Sequence, residues 1–457
     1  MSATVARTQR TRAATSLLRP NLALVAALLL VPALACDRDP RFVFEQKPIA
    51  EVRHMGFRQD IPDARRGNAV FYKAVFTREG NYLVTAGRGF RVWDPGTGTL
   101  LRTIDGALDG NDLLVADGTY HRLLARRGDV APTNPLAAGL GIWDLRDGSL
   151  VGIIPETDRE RAIPVGTTTR GDAVVIRAGQ IETWALDGSG LRMVIPPPEG
   201  LRLCERGVPN PFTYNDKQCF ELSPSGRWLA ITAWDPDVRP LAPRPWLADL
   251  DRGSLAPIAP PGGVDRGGVY GFAFSSDERT LALGTRDGMW LGTVSPTGMP
   301  SDAPRGTFIA GEHQRNQFLT PMAFTDDDAR VVALGDQLQV STFDAGTGAL
   351  VGRVAPPFGD WEGTLRVSAD GSRAVAYRFL PDILVVIDGT TGQQHGYLCP
   401  YFCNRFHNPV AVPYAVSPDG RRVASGGRLG AGLWDTDADT LIAPLEDPTL
   451  PPRRPRY

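Results

Sequence analysis

Lysine is nearly absent from this 457-residue chain: Lys47, Lys73 and Lys217 stand among 49 basic residues, and the rest are arginine. Histidine and cysteine are scarce, five of each. Long helical periodicity is missing too. No amphipathic 3.6-residue pattern survives the 50 glycines and 39 prolines, which excludes a helical bundle and leaves an all-β chain. A hydrophobic content of 42% excludes general disorder. The net charge of −2 gives no whole-molecule attraction to nucleic acid. Local catalytic signatures are absent: there is no G-x-S-x-G elbow, no C-x-x-C-H haem site and no H-E-x-x-H helix. His54, His121 and His313 stand without a matched partner in sequence. Nothing in the chain calls for a cofactor or a metal.

The longest apolar run, Leu22 to Ala35, is too short for a spanning helix, which takes about 20 residues. Arg7, Arg10, Arg12 and Arg19 precede it, and small residues follow, as in an export signal. Ala33-Leu34-Ala35-Cys36 resembles a bacterial lipobox, although Ala33 stands where that motif has Leu. The resemblance implies cleavage before Cys36, lipid on its thiol, and attachment to a membrane facing the periplasm or cell surface. Ala33-Leu34-Ala35 also reads as an ordinary cleavage site, and an uncleaved anchor is a third possibility. Removing Cys36 from the count of five leaves an even four for disulfides. Residues 1–36 are thus assigned as signal and 37–60 as a tether, within which 42–53 is a candidate ring-closing strand.

The stretch AVFTREGNYLVTAGRGFRVWDPGTGTLLRTI, 74–104, parses as four strands joined by turns. Related units recur seven more times, marked by SPDG-like and DxxTG-like turns such as SPSG at 223–226, TDDD at 325–328 and SPDG at 417–420. Such a unit cannot bury both faces alone, so radial stacking into a β-propeller is expected. The units resemble WD40-type repeats of the bacterial WD40-like and YVTN-like kind, over residues 61–446. Trp93-Asp94, Trp143-Asp144 and Trp434-Asp435 carry the likeness, and the Gly-His dipeptide of that family is missing. The count of units predicts eight blades, or seven because the third and fifth units are weak. Residues 447–457 read as a Pro/Arg-rich tail.

With strands a to d in each blade, the a–b and c–d turns share one end. They are short and acidic, with Glu79, Asp117, Asp144, Asp277, Asp328, Asp370, Asp419 and Asp435. The b–c and d–a loops share the other end and are long: 125–141, 232–246, 196–218, 296–317 and 398–412. Long loops on a rigid scaffold are where binding concentrates. Arg88, Arg126, Arg177, Arg239, Arg244, Arg286, Arg378 and Arg428 fall there, as do Trp234, Trp246, Tyr401 and Phe402. They are the candidate partner-binding residues, with guanidinium forks suited to anionic groups. The bland alternative is that the arginines are merely solvated and the aromatics cap the sheet ends.

Two disulfides are expected, Cys204–Cys219 and Cys399–Cys403, both at the long-loop end. His395, Cys399, Cys403 and His407 recur every four residues like a zinc set, but Gly396 and Pro400 argue against the helix such a set needs. Asp435, Asp437, Asp439 and Glu446 have the spacing of a calcium loop, but Thr440 stands where its turn needs glycine, so the repeat explains them better. The expected function is a non-catalytic exported scaffold binding a protein or an anionic envelope polymer through its long-loop end. The alternative is a propeller enzyme, a lactonase-like hydrolase or quinoprotein-like oxidoreductase, with a site in the central channel.

Overall fold

The computed structural model describes residues 73–104 (except 88), 115–126 (except 118), 139–156, 161–204, 219–235, 244–258, 268–294 (except 286 and 287), 306–310, 322–334 (except 326), 340–354, 365–378, 383–398, 414–427 and 430–449. Cys36, the tether and the 42–53 segment lie outside these residues. Every described element is a strand, and the strands form eight antiparallel sheets. Their spans are 73–104, 115–155, 163–195, 202–257, 269–310, 322–354, 365–398 and 414–444, called blades 1 to 8. Each sheet is built from consecutive strands. The count is eight, not seven, and the third and fifth units are full blades.

Strand a of each blade packs beside strand a of a neighbour, and Lys73–Phe76 of blade 1 packs beside Tyr414–Val416 of blade 8. The a strands are therefore innermost, and the ring closes between blades 8 and 1. Strands b and c lie between neighbouring sheets, so both of their faces must be apolar. Leu83–Ala86, Phe90–Trp93 and Gly139–Asp144 are accordingly buried along their whole length. Strand d is the outer edge and alternates, as in Leu100–Ile104. The core is divided among the seams. Val92, Ile104, Leu123 and Trp143 fill the seam between blades 1 and 2, and Trp228, Leu247, Phe272 and Trp290 that between blades 4 and 5.

Two repeating details hold strand c in place. A register shift occurs just before its end in six blades, at Val92/Trp93, Ile142/Trp143, Thr183/Trp184, Thr342/Phe343, Val386/Ile387 and Leu433/Trp434. Such a bulge re-aims the terminal side chains and sharpens the local twist. The indole N–H of Trp93 then donates to Thr85 Oγ1 at 2.9 Å, and that of Trp434 to Ser425 Oγ at 3.0 Å, so each buried donor is satisfied. The c–d turns press on the outer strand of the preceding blade. At Gly188 (φ +80°) a Cβ would stand 2.6 Å from the Val151 carbonyl oxygen, so only glycine fits.

Two blades depart from the parse of the sequence. In blade 5, strand d is Gly306–Ala310, inside the segment expected to be a d–a loop. Blade 4 has a broken inner strand. Arg202–Leu203 pairs with Trp234 and Ala233, and Phe220–Leu222 pairs with Ile231 to Leu229 along the same edge of Trp228–Trp234. The two pieces are one strand interrupted at residues 205–218. At the break, Cys204 N–H donates to the Thr232 carbonyl at 2.8 Å and Thr232 N–H donates to the Cys219 carbonyl at 2.9 Å.

Candidate functional site

The short-turn end is self-satisfied. The aspartate at or just after the end of strand c caps its own turn: Asp94 Oδ1 accepts from the N–H groups of Gly96 and Thr97, at 2.7 and 3.2 Å. Asp249, Asp344, Asp388 and Asp435 do the same. The second oxygen pairs with an arginine at or just before the start of strand b. These pairs are Arg122–Asp144 at 2.6 Å, Arg227–Asp249 at 3.4 Å, Arg330–Asp344, Arg373–Asp388 at 3.1 Å and Arg422–Asp435 at 2.8 Å. A hydrogen bond from Arg146, with help from Arg122, holds the Asp144 carboxyl well below the usual carboxylate range against the opposing effect of burial.

The a–b turns are tied to one another as well. Tyr120 Oη donates to the Thr169 carbonyl, Thr169 N–H to the Ser225 carbonyl, and Asp370 N–H to the Pro418 carbonyl. Glu278 accepts from Ser225, and Asp328 from Ser276. Much of the acidity read from the sequence at this end is therefore spent on turn caps, on ion pairs with strand-b arginines and on bonds between blades.

At the long-loop end, the candidate arginines separate into two groups. Arg126 makes a two-armed bond to Glu156, both arms 3.0 Å, and donates to the Ala162 carbonyl. Arg177 bonds Glu182 at 2.9–3.1 Å and the Pro155 carbonyl at 2.8 Å, and lies over the Trp184 ring. Trp184 donates to the same Glu182 at 2.8 Å. These two arginines rivet blade 2 to blade 3 and are largely enclosed. Arg244, in contrast, is exposed.

Trp234, Arg244 and Trp246 lie on strands rather than in the expected 232–246 loop. Strand b of blade 4 runs Trp228–Trp234, and strand c runs Arg244–Asp249. Both tryptophans are half-buried. Trp246 packs in the seam between blades 3 and 4 with its indole N–H lacking an acceptor. The Cys204–Cys219 disulfide is formed and staples the broken inner strand. It closes an excursion inside a strand, not the whole blade-to-blade loop. Arg378 ends strand b of blade 7. Arg88, Arg239, Arg286, Arg428, Tyr401, Phe402, Cys399 and Cys403 lie outside the described residues.

Sequence reasoning missed Arg161 and Arg202. Both are exposed, at the starts of the inner strands of blades 3 and 4. The signal for Arg202 was the extended Arg202-Leu203-Cys204 run after the three prolines, which reads as loop until its partner strand is known. Glu221, on the inner strand of blade 4, was missed as well. Its residue surface is only half-buried, but its carboxyl is surrounded by protein, and burial pushes it up to about 8. Among the described residues no group of three or more His, Cys, Asp or Glu side chains is placed to hold a metal. No described helix is long and apolar enough to cross a membrane.

No protein-family model matches the chain, and no curated protein matches it. Solved structures do. The C-terminal WD40 domain of Sif2 superposes with a TM-score of 0.53 at 9% identity, over 80% of this chain and 95% of that one. The β-propeller domain of Cps50 (Swd1) from Myceliophteria thermophila gives 0.46 at 14% identity, over 70% and 94%. Dihydro-heme d1 dehydrogenase NirN gives 0.46 at 16% identity, and this chain covers 66% of that chain's length. At such identities the likeness is one of fold: the chain has the WD40-type β-propeller architecture.

Proposed function

We propose that the protein is a non-catalytic propeller scaffold that docks a protein partner on its long-loop end. We further propose that it works outside the cytoplasm, held to a bacterial membrane by lipid on Cys36. The carrying observation is the contrast between the two ends. The short-turn end has spent much of its acidity on turn caps and ion pairs, whereas blade 4 offers Trp234, Trp246 and Arg244 beside a stapled break in its inner strand. Aromatic and arginine anchors on a rigid base are the usual centre of a protein interface. The disulfide supports the compartment, because such bonds persist in oxidising surroundings. The test is cross-linking of the full-length protein in its native membranes, read by mass spectrometry. A stoichiometric partner with cross-links inside 232–246 is expected. No partner above background with several cross-linkers would overturn the reading.

One observation favours the second reading, a propeller enzyme. Glu221 is a carboxyl held protonated near neutrality on an inner strand, a state suited to a general acid. Cofactor and metal analysis of the purified protein, with turnover assays on Glu221→Gln, tests it. A bound group together with activity lost in that variant would establish the enzyme.

A further inference from the structure

The long-loop end of blades 3 and 4 carries a charge pattern that specifies its partner, given the docking reading above. Arg202 pairs across to Trp234, while Leu203 pairs with Ala233, and Ala233 in turn with Arg244. Arg202 and Arg244 therefore stand on opposite faces of one sheet, two strand spacings or about 10 Å apart. Trp234 lies on the strand between them. Arg161 leads into Ile163–Thr167, the inner strand of blade 3, which packs beside Phe220–Leu222 of blade 4. All three arginines are exposed, and none has a carboxylate partner among the described residues.

Most of the described carboxylates near this corner are otherwise engaged. Glu156 and Glu182 are taken by Arg126 and Arg177, and Asp235 has an interaction of its own. Glu199 is the exposed carboxylate that remains among the described residues here. Among the described residues, three arginines without a carboxylate partner thus lie at this end of blades 3 and 4, on a chain whose net charge is −2.

We infer that this corner binds an extended acidic segment of the partner protein. Crossing the end of the blade 4 sheet, its carboxylates meet Arg161 of blade 3, Arg244 on one face and Arg202 on the other, and an apolar side chain beside Arg202 rests on Trp234, which shares that face. A guanidinium fork takes a carboxylate with two parallel hydrogen bonds. An anionic polymer is the poorer fit. It calls for a row of cations at its repeat, whereas here Arg202 shares a face with Trp234, Arg244 stands on the other face, and the apolar Pro196 to Pro198 connection leads into Arg202.

The experiment titrates the full-length protein with an oligo-glutamate peptide containing one central leucine, and separately with alginate, following tryptophan fluorescence. The peptide should bind saturably and more weakly as salt rises. The triple variant Arg161→Ala, Arg202→Ala, Arg244→Ala should lose about tenfold or more in affinity. Arg279→Ala, an exposed arginine at the other end, should lose nothing. Equal binding by the triple variant, equal loss in Arg279→Ala, or binding of alginate without the peptide overturns the inference. The docking reading fails separately. A cross-linked partner retained at full yield by the triple variant keeps the scaffold and discards this chemistry, whereas no partner at all discards the scaffold.

Discussion

At the scale of single residues, the turn between strands a and b shows how this ring resolves a local conflict. The fourth residue after strand a needs a left-handed backbone, and Gly80, Gly171, Gly226, Gly371 and Gly420 supply it at φ between +63° and +80°. Glu278 (φ +59°) and Asp328 (φ +55°) occupy the same place. An L-residue there costs about 1 kcal/mol relative to glycine. In return, Asp328 accepts from Ser276 N–H at 2.7 Å and Ser276 Oγ at 2.8 Å, on the preceding blade. Bonds to a charged acceptor contribute about 1.5–3 kcal/mol each when enclosed and less at an exposed turn. The bonds should therefore win narrowly. Asp328→Gly is expected to lower stability by about 1 kcal/mol, and Asp328→Asn, which tolerates this backbone and keeps an acceptor, should lose less. Urea unfolding midpoints check the order, and a glycine variant above wild type would show that the tie between the blades contributes nothing.

At the scale of elements, blade 4 is the informative case. The staple closes a loop with a sequence separation of 15, for which chain entropy gives about 3 kcal/mol. Cys204→Ser with Cys219→Ser should lower stability by about that amount, and reduction of the wild type should give the same midpoint. If the wild type unfolds identically with and without reductant, the staple is not a stabilising element. Glu221, in the second half of the same strand, gives blade 4 a pH dependence. Burial raises its folded value to about 8, so the folded state holds a proton that the unfolded state releases near an ordinary carboxyl value of about 4.3. The sign follows: its contribution is fully present below that ordinary value and is lost as pH climbs toward 8. Glu221→Gln should flatten the fall in melting temperature over this window, and an unchanged slope would assign it to other groups.

The same blade shows what the sequence could and could not tell. The middles of strands b and c were legible, because burial on both faces makes them continuous apolar runs, but their ends at the long-loop side were not: Thr232 to Trp234 and Arg244 to Trp246 read as loop. A two-residue strand such as Arg202–Leu203 has no periodicity to detect. It exists because Trp228–Trp234 extends past Phe220–Leu222 and offers unpaired backbone groups along its edge. The arginine site was half-legible for a related reason. Arg126 and Arg244 look alike as sequence, and only the register that brings Glu156 to Arg126 tells the rivet from the exposed cation. The pairing of strand-b arginines with strand-c aspartates was likewise hidden, since it depends on which residues face each other across the hairpin.

For the whole molecule, the seam between blades 8 and 1 joins the two ends of the described strand order, which runs from Lys73 to Pro444. Among the described residues, blade 8 draws its strands from 414–444. The chain beyond its last strand fastens blade 8 to blade 1. Leu445 donates to the Ala431 carbonyl at 3.0 Å and packs with Leu83, Trp93 and Leu433. Asp447, where the sequence placed the start of a tail, is fully buried and bonds Arg91 Nε, itself 5% exposed, on strand c of blade 1. Burial alone would raise the Asp447 carboxyl, but hydrogen bonds from Thr449 and Arg91 outweigh it and hold it below its usual value. This fastening is thus complete above the ordinary aspartate pKa of about 3.9 and fails only as pH drops through the lowered value. Removing one partner leaves a buried charge, a loss of about 3–5 kcal/mol, whereas replacing both with apolar groups is often neutral. Asp447→Leu alone should therefore lower the melting temperature sharply, and Arg91→Met with Asp447→Leu should recover most of it. A double variant no better than the single would mean that the ion pair is incidental and that Leu445 alone closes the ring.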